Sequence, residues 1–165
     1  MTIGEVNSLS HDEFVAAFGW IFEDSPWVAA QARALRPFAD RSALHSAMVR
    51  EVEGATRETQ LALLRAHPDL GARARMSDAS IGEQTGAGLD RMSAADFERL
   101  HAMNTRYREK FGFPFLFAVK GSTVADILGA LERRIAAAPE AEFQEALTQV
   151  YRIASFRLQD AVTGD

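Results

Sequence analysis

The segment around His67 is the first place in this sequence where side-chain chemistry stands out. His67 follows a predicted helix capped by Thr56 and precedes Pro68, so it should lie where that helix ends. The negative end of the helix dipole favours a charged imidazole, and a rigid proline corner suits a proton donor or acceptor. The alternative is a histidine that only satisfies the last helical carbonyls. The histidines have no metal-ligand spacing and the chain has no cysteine, so we expect no metal site.

A second candidate is the glycine-rich stretch 77–90, a predicted loop with one short helix, which contains Ser80, Glu83 and Gln84. Ser-x-x-Glu is the capping-box pattern, so Ser80 and Glu83 could simply begin that helix. The glycines weaken a helix built for stability, however, and backbone near such a helix start is a natural anion site. Glu83 could then pair with His67 and set its tautomer and basicity.

A third candidate is the dense aromatic run from Phe111 to Gly121, which two glycines and a proline make too broken for a helix. Residues 112–120 are predicted to form an extended, buried loop. The aromatic side chains would fill the core. The backbone N–H and C=O groups of an extended loop have no ladder partners, so a planar, amide-rich ligand could satisfy them.

The last candidate is Arg157, which follows Val150 by seven positions in the final predicted helix. That spacing places it with the apolar stripe and not with the solvated face predicted for Gln149 and Arg152. Because a buried charge needs a partner, either an internal carboxylate or an anionic ligand should lie against the guanidinium.

Helices are predicted to position all four candidates. Asp40, Thr56, Ser93 and Thr123 are suitable N-cap residues for helices of about 40–52, 56–66, 94–111 and 123–138, and Pro139 opens the last helix. No convincing strand alternation occurs. The sequence therefore predicts an all-α fold of about eight helices, in a single compact domain covering residues 1–165.

Charge and composition exclude several classes of function. The net charge of −5 argues against nucleic acid as the main partner, and no basic recognition helix favours a DNA-binding domain. No apolar run is long enough to span a membrane. The N-terminal residues lack the pattern of a secretory signal, and the absence of cysteine fits a reducing compartment. We therefore expect a cytoplasmic protein without membrane partners.

At the candidate residues the sequence resembles the 2-oxo-4-hydroxy-4-carboxy-5-ureidoimidazoline (OHCU) decarboxylase family. The similarity extends from about Leu9 to Leu158. The motifs that carry it are His67-Pro68-Asp69-Leu70, Ser80-x-x-Glu83-Gln84 followed by Gly86-Ala87-Gly88-Leu89, Asn104-x-x-Tyr107-x-x-Lys110-Phe111 running into Phe113-Pro114-Phe115, and Ile153, Ala154, Arg157 and Leu158 in the last helix. One departure is Gly71, where family members often carry alanine.

The resemblance implies a helical, often dimeric enzyme that uses no metal or organic cofactor. It would decarboxylate a small anionic ureidoimidazoline to (S)-allantoin, the third step after urate oxidation, and would form a homodimer. By family position, His67 is the catalytic acid–base group with Glu83 beside it. The residues implied to hold the substrate are Pro68, Ser80, Gln84, Phe115, Leu116, Phe117, Ala118, Val119 and Arg157.

Two other readings remain open from the sequence. One is a helical binding module whose pocket takes a peptide or small ligand without catalysis. The other is an acid–base enzyme of the same fold that acts on a different heterocycle. Convergence of His67, Glu83 and Arg157 on one small cavity would favour the decarboxylase, because a binding module has little need of all three.

Overall fold

Helices make up the regular structure of this protein, whose computed structural model describes residues 1–72 and 77–164. No strand occurs in those two ranges, so the predicted all-α class is confirmed. The described residues contain nine α-helices where about eight were predicted, and two short 3-10 helices at Arg33–Leu35 and Leu89–Arg91. The α-helices are α1 Ile3–Ser8, α2 His11–Phe18, α3 Trp27–Ala32, α4 Arg41–Glu53, α5 Arg57–Arg65, α6 Asp78–Gly86, α7 Ala94–Phe111, α8 Val124–Arg134 and α9 Pro139–Ala161.

Capping residues fix most of the helix ends that the sequence predicts. The Ser93 hydroxyl accepts from the Asp96 N–H at the start of α7, and Gly112 ends that helix with φ +79°. Helix α8 ends at Arg134 and not near residue 138 as predicted. Beyond it the carbonyls of Ile135 and Ala137 accept hydrogen bonds from Lys110 Nζ, at 2.7 and 3.1 Å, so these backbone groups are satisfied without helix.

The described chain packs as two units, each with its own apolar interior. The first contains Met1–Ala66 and the residues from Tyr151 onward, and the second contains His67–Val150. Helix α9 therefore contributes to both units. The single domain predicted over residues 1–165 stays a prediction. Large buried side chains in the first unit are Phe14, Phe18, Ile21, Phe22, Leu44 and Met48; those in the second are Leu100, Tyr107, Phe115, Ile127, Leu131 and Phe143.

The second unit contains the irregular, buried segment that the aromatic run predicts. Residues 113–119 have no regular secondary structure, and all of them except Phe117 are buried. The prediction of an extended buried loop over 112–120 is thus confirmed for its interior. Separately, none of the helices in residues 1–72 and 77–164 combines the length and the apolar character needed to cross a bilayer.

Candidate functional site

His67 lies where the sequence places it, two residues beyond the last residue of α5. Its side chain is 6% exposed, and Pro68 beside it is half-buried. A histidine held in a non-helical corner, mostly shielded from water, is suited to directed proton transfer.

Asp69, Leu70 and Gly71, which follow the His67–Pro68 corner, are held by side chains of α6 and α7. Asp69 Oδ1 accepts from Arg108 Nη2 at 2.7 Å. The Leu70 carbonyl accepts from Asn104 Nδ2 at 3.0 Å. The corner that carries His67 is therefore anchored from outside its own backbone.

The next residue, Gly71, completes this anchoring. Its N–H donates to Gln84 Oε1 at 2.9 Å. Its φ of +71° lies in the left-handed region, and a Cβ added there would come within 2.8 Å of Met92 Cε and 2.9 Å of Leu100 Cδ2. Only glycine fits this backbone without strain or displacement of its neighbours.

Helix α6 places the predicted residues of the glycine-rich stretch on one face. Ser80, Glu83 and Gln84 are three and four positions apart, so they are neighbours along the helix. Ser80 and Gln84 are 5% and 6% exposed, and Glu83 is half-buried. The pairing of Glu83 with His67 stays a prediction.

The capping-box interpretation of Ser80 and Glu83 is wrong. The N-cap of α6 is Ser77, whose hydroxyl accepts from the Ser80 N–H at 3.2 Å. Ser80 lies inside the first turn, so its side chain is not needed to begin the helix. The capping role that competed with a functional one for Ser80 and Glu83 therefore belongs to Ser77.

Side chains of α8 and α9 satisfy part of the backbone of the 113–119 segment. The Ala118 N–H donates to Gln149 Oε1 at 2.9 Å, and the Leu116 carbonyl accepts from Arg134 Nη1 at 2.5 Å. The prediction of a solvated Gln149 is wrong, because the residue is 5% exposed and is used here as an internal acceptor. Within the described residues, no protein acceptor takes the N–H of Leu116, Phe117 or Val119.

Behind this segment lies a buried cluster of Arg134, Glu142 and Tyr107. Arg134 Nε donates to Glu142 Oε1 at 2.8 Å, and the Tyr107 hydroxyl donates to the same carboxylate oxygen in a short hydrogen bond. Burial, together with the hydrogen bond to Glu142, raises the pKa of Tyr107 well above its ordinary value, so the phenol stays a donor. The Arg134 guanidinium also lies over the Phe115 ring, 4.6 Å from its centroid.

Arg157 is buried, as the helical spacing predicts, and an internal carboxylate lies against it. In the first unit, its Nη2 donates to Glu23 Oε2 at 2.9 Å, and both side chains are 3% exposed. Its Nη1 donates to the carbonyls of Trp20 and Ile21 at 3.2 and 3.3 Å. Of the two partners left open by the sequence, the structure contains the internal one; the role of Arg157 as a substrate ligand stays a prediction.

Two cavities adjoin the anchored corner within the second unit. The larger, of about 620 Å³, is lined by residues including Gly71, Gln84 and Phe97, and the smaller, of about 260 Å³, by residues including Leu70 and Asn104. His67, Ser80 and Glu83 are not among the lining residues of either. Over residues 1–72 and 77–164, no three His, Asp or Glu side chains gather in a way that could hold a metal ion.

Sequence reasoning missed the anchoring residues Asn104, Arg108, Arg134 and Glu142. Asn104 and Tyr107 belong to a motif that carries the family resemblance, but the residue pattern alone gives them no chemistry. Glu142 lies in the acidic first turn of α9, where a carboxylate normally faces solvent and favours the helix dipole. Its burial depends on long-range packing that no local spacing reveals.

Comparison with known proteins identifies the family. The family model described as OHCU decarboxylase matches residues 7–159. The chain is 49% identical to a 2-oxo-4-hydroxy-4-carboxy-5-ureidoimidazoline decarboxylase of Haloferax volcanii, covering 100% of this chain and 98% of that protein. It is 44% identical to a protein of the same name from Halalkalicoccus jeotgali, covering 97% and 91%.

Solved structures give the same result. A crystal structure of (S)-allantoin synthase superposes with a TM-score of 0.78 at 32% identity, covering 98% of this chain and 54% of that one. An OHCU decarboxylase crystallised in the presence of (S)-allantoin superposes with a TM-score of 0.69 at 25% identity, covering 90% and 96%. The chain therefore belongs to the OHCU decarboxylase family.

Proposed function

We propose that this chain makes (S)-allantoin from OHCU by directed proton transfer, with His67 as the acid–base group and Glu83 as its partner. Family membership makes the chain a carboxy-lyase that decarboxylates OHCU to allantoin in urate degradation. Its own residues must carry out that reaction and select one enantiomer.

The chemistry of the substrate sets what the protein must supply. When the bond to the carboxylate breaks, carbon dioxide leaves and the electron pair stays on the ring carbon. The neighbouring ureido-bearing carbon is part of the ring C=N bond, so the pair forms a carbon–carbon double bond while the C=N electrons move to the ring nitrogen, which takes up a proton; the ring itself is the electron sink. The hydroxyl of the decarboxylated carbon is then that of an enol, and the protein has to stabilise its oxyanion and deliver one proton to the ureido-bearing carbon as the carbonyl of allantoin forms.

The fixed position of His67 is the observation that supports its role most strongly. The imidazole is nearly buried, and the residues that follow it are anchored because the Leu70 carbonyl accepts from Asn104 and the Gly71 N–H donates to Gln84. An acid held in one place protonates the planar enolate from one face, which yields a single enantiomer. Glu83 would set the tautomer of the imidazole, as carboxylates do for other catalytic histidines.

The segment 115–119 is proposed to bind the substrate through its backbone. The N–H groups of Leu116, Phe117 and Val119 have no acceptor within the described residues, and Leu116 and Val119 are buried. Preorganised N–H groups of this kind contribute several kcal/mol, about 2.7–4 for one donor, to stabilising an oxyanion. Pro68, Ser80 and Gln84 would complete the substrate contacts.

The test couples urate oxidase and the hydrolase that follows it, adds this protein, and measures allantoin by circular dichroism. We expect (S)-allantoin to form faster than the spontaneous racemic product, and His67→Ala to lower kcat by roughly 10²–10⁴-fold. His11→Ala is the matched control, because His11 is exposed and, among residues 1–72 and 77–164, its ring pairs with the neighbouring Asp12. An unchanged rate and an unchanged enantiomeric excess in His67→Ala would exclude His67 as the acid–base group.

A homodimer and a cytoplasmic location are part of the same proposal. Both come from the family resemblance and from the sequence features described above. Sedimentation of the purified chain at micromolar concentration tests the dimer, and fractionation of the source cells tests the location. A monomer at those concentrations would contradict the first, and recovery outside the cytoplasm the second.

A further inference from the structure

We infer that Arg134 and Gln149 are positioning residues that aim one backbone donor, the Phe117 N–H, at the oxyanion of the reaction. This inference rests on the proposed function of segment 115–119. It goes beyond that function by selecting one donor from the segment and by naming the side chains that orient it.

The orientation follows from the planarity of the peptide bond. The Leu116 carbonyl points to Arg134 Nη1. The Leu116–Phe117 peptide is trans, so the Phe117 N–H points to the opposite side, away from the guanidinium.

The next peptide group is fixed in the same way. The Ala118 N–H points to Gln149 Oε1, so the Phe117 carbonyl, across that peptide, points away from Gln149. Both peptide groups that flank Phe117 are thus held by side chains from helices, and its own N–H has no acceptor within the described residues. The N–H groups of Leu116 and Val119 belong to the 115–116 and 118–119 peptide groups, which these two side chains do not hold.

A contribution to stability does not by itself explain why Arg134 and Glu142 form a charged anchor for the 113–119 segment. Glu142 is 1% exposed and the Arg134 side chain 12%, and removing such a pair from water costs free energy that an apolar pair would not. What an apolar pair lacks is a donor for the Leu116 carbonyl. Glu142, with Tyr107 on the same carboxylate, holds the guanidinium in the orientation that this carbonyl needs.

The experiment replaces the Phe117 N–H itself. Incorporation of phenyllactic acid at position 117 changes the Leu116–Phe117 amide to an ester, which deletes the N–H and keeps the side chain. Phenyllactic acid at position 113 is the matched control, because Phe113 lies outside the proposed binding segment and its N–H also has no acceptor within the described residues. Arg134→Met and Gln149→Leu remove the two orienting side chains, Arg134→Lys keeps a donor, and Arg133→Met is the control on the exposed neighbouring arginine.

We expect the ester at 117 and the Arg134→Met variant each to lower kcat roughly 100-fold with little change in KM, the effect of losing one oxyanion donor. The ester at 113 and Arg133→Met should stay within about threefold of the wild-type kcat, and Arg134→Lys should recover part of the loss. Because Arg134 acts through the Phe117 N–H, combining the ester at 117 with Arg134→Met should cost no more than the ester alone.

An ester at 117 with kcat within twofold of wild type would overturn the inference, and so would effects that multiply in the combined protein. If Arg134→Met does not fold, as judged by circular dichroism, Gln149→Leu and Arg134→Lys are combined with the ester instead, and the same rule of non-additivity decides. Failure of the proposed function is a separate result, since His67→Ala would then keep the wild-type rate whatever the ester does.

Discussion

Two irregular segments of the second unit carry predicted site residues, and they are held in opposite ways. Residues 67–71 are fixed by the neutral amides of Asn104 and Gln84, by a solvent-accessible ion pair of Asp69 with Arg108, and by a glycine at positive φ; no buried charge is involved in these contacts. Residues 113–119 are fixed by a buried, charged cluster and by aromatic packing. In both, side chains from neighbouring helices replace the backbone ladder that an irregular segment lacks.

The difference indicates what each segment has to present. The first presents a side chain, His67, so it is enough to hold the backbone on either side of a proline corner. The second is proposed to present backbone N–H groups, so the peptide planes themselves must be fixed. A guanidinium held by a carboxylate fixes the direction of a carbonyl more firmly than a neutral amide does.

The largest expected effect is on the charged anchor. Glu142→Ala leaves Arg134 buried without its carboxylate and Tyr107 without its acceptor, so we expect the free energy of unfolding to fall by about 3–5 kcal/mol. Denaturant unfolding measures it. The control is Glu132→Ala, because Glu132 forms an exposed ion pair with Arg99 and should cost about 1 kcal/mol or less. Equal losses in the two variants would remove the contrast between the segments.

A smaller loss of stability is expected from a substitution in the 67–71 segment. Gly71→Ala combines positive φ with close contacts to Met92 and Leu100, so we expect a loss of about 1–3 kcal/mol and a lower kcat through displacement of His67. Gly88→Ala is the matched control, since Gly88 has φ +81° and nothing within 4 Å of an added Cβ. If both substitutions cost the same, the contacts to Met92 and Leu100 carry no strain.

The smallest expected effect is a loss of stability at alkaline pH, to which Tyr107, packed against the 113–119 segment, contributes and residues 67–71 do not. The pKa of Tyr107 is raised by burial and by Glu142, so above pH 10 the unfolded chain loses the phenolic proton while the folded chain keeps it. The contribution of Tyr107 to stability should be constant below about pH 10 and fall above it, by about 1.4 kcal/mol per pH unit for one such tyrosine.

Tyr151 has its pKa raised to about 12, by burial and then by Glu53, and it adds to the same loss. Unfolding measured between pH 9 and 11 should therefore show about half the slope in Tyr107→Phe, and also in Tyr151→Phe. No residue from 67 to 71 carries a phenol. If the free energy of unfolding of Tyr107→Phe falls with pH as steeply as that of the wild type, Tyr107 does not make the 113–119 segment sensitive to alkaline pH.

Local signals predicted much of the fold and the positions of the candidate residues. N-cap residues and helical periodicity placed α7 at its observed bounds and left residues 113–119 outside regular structure. They also predicted that His67 follows a helix and that Arg157 is buried. What they missed is the partners, since Glu23, Glu142 and Gln149 contact residues far away in the sequence, namely Arg157, Tyr107 and Ala118. Ser80 was misread because Ser77 offers the same cap three residues earlier.

Gly71 makes residue 71 depend on the side chains at positions 92 and 100. An alanine at 71 would meet the ends of Met92 and Leu100. Alanine at 71 therefore needs different side chains at 92 and 100 and also a shift of the local backbone, because φ +71° strains an alanine whatever space is available. Copying a common residue from relatives into this chain would ignore that epistasis, and a stabilisation strategy based on consensus should vary the three positions together.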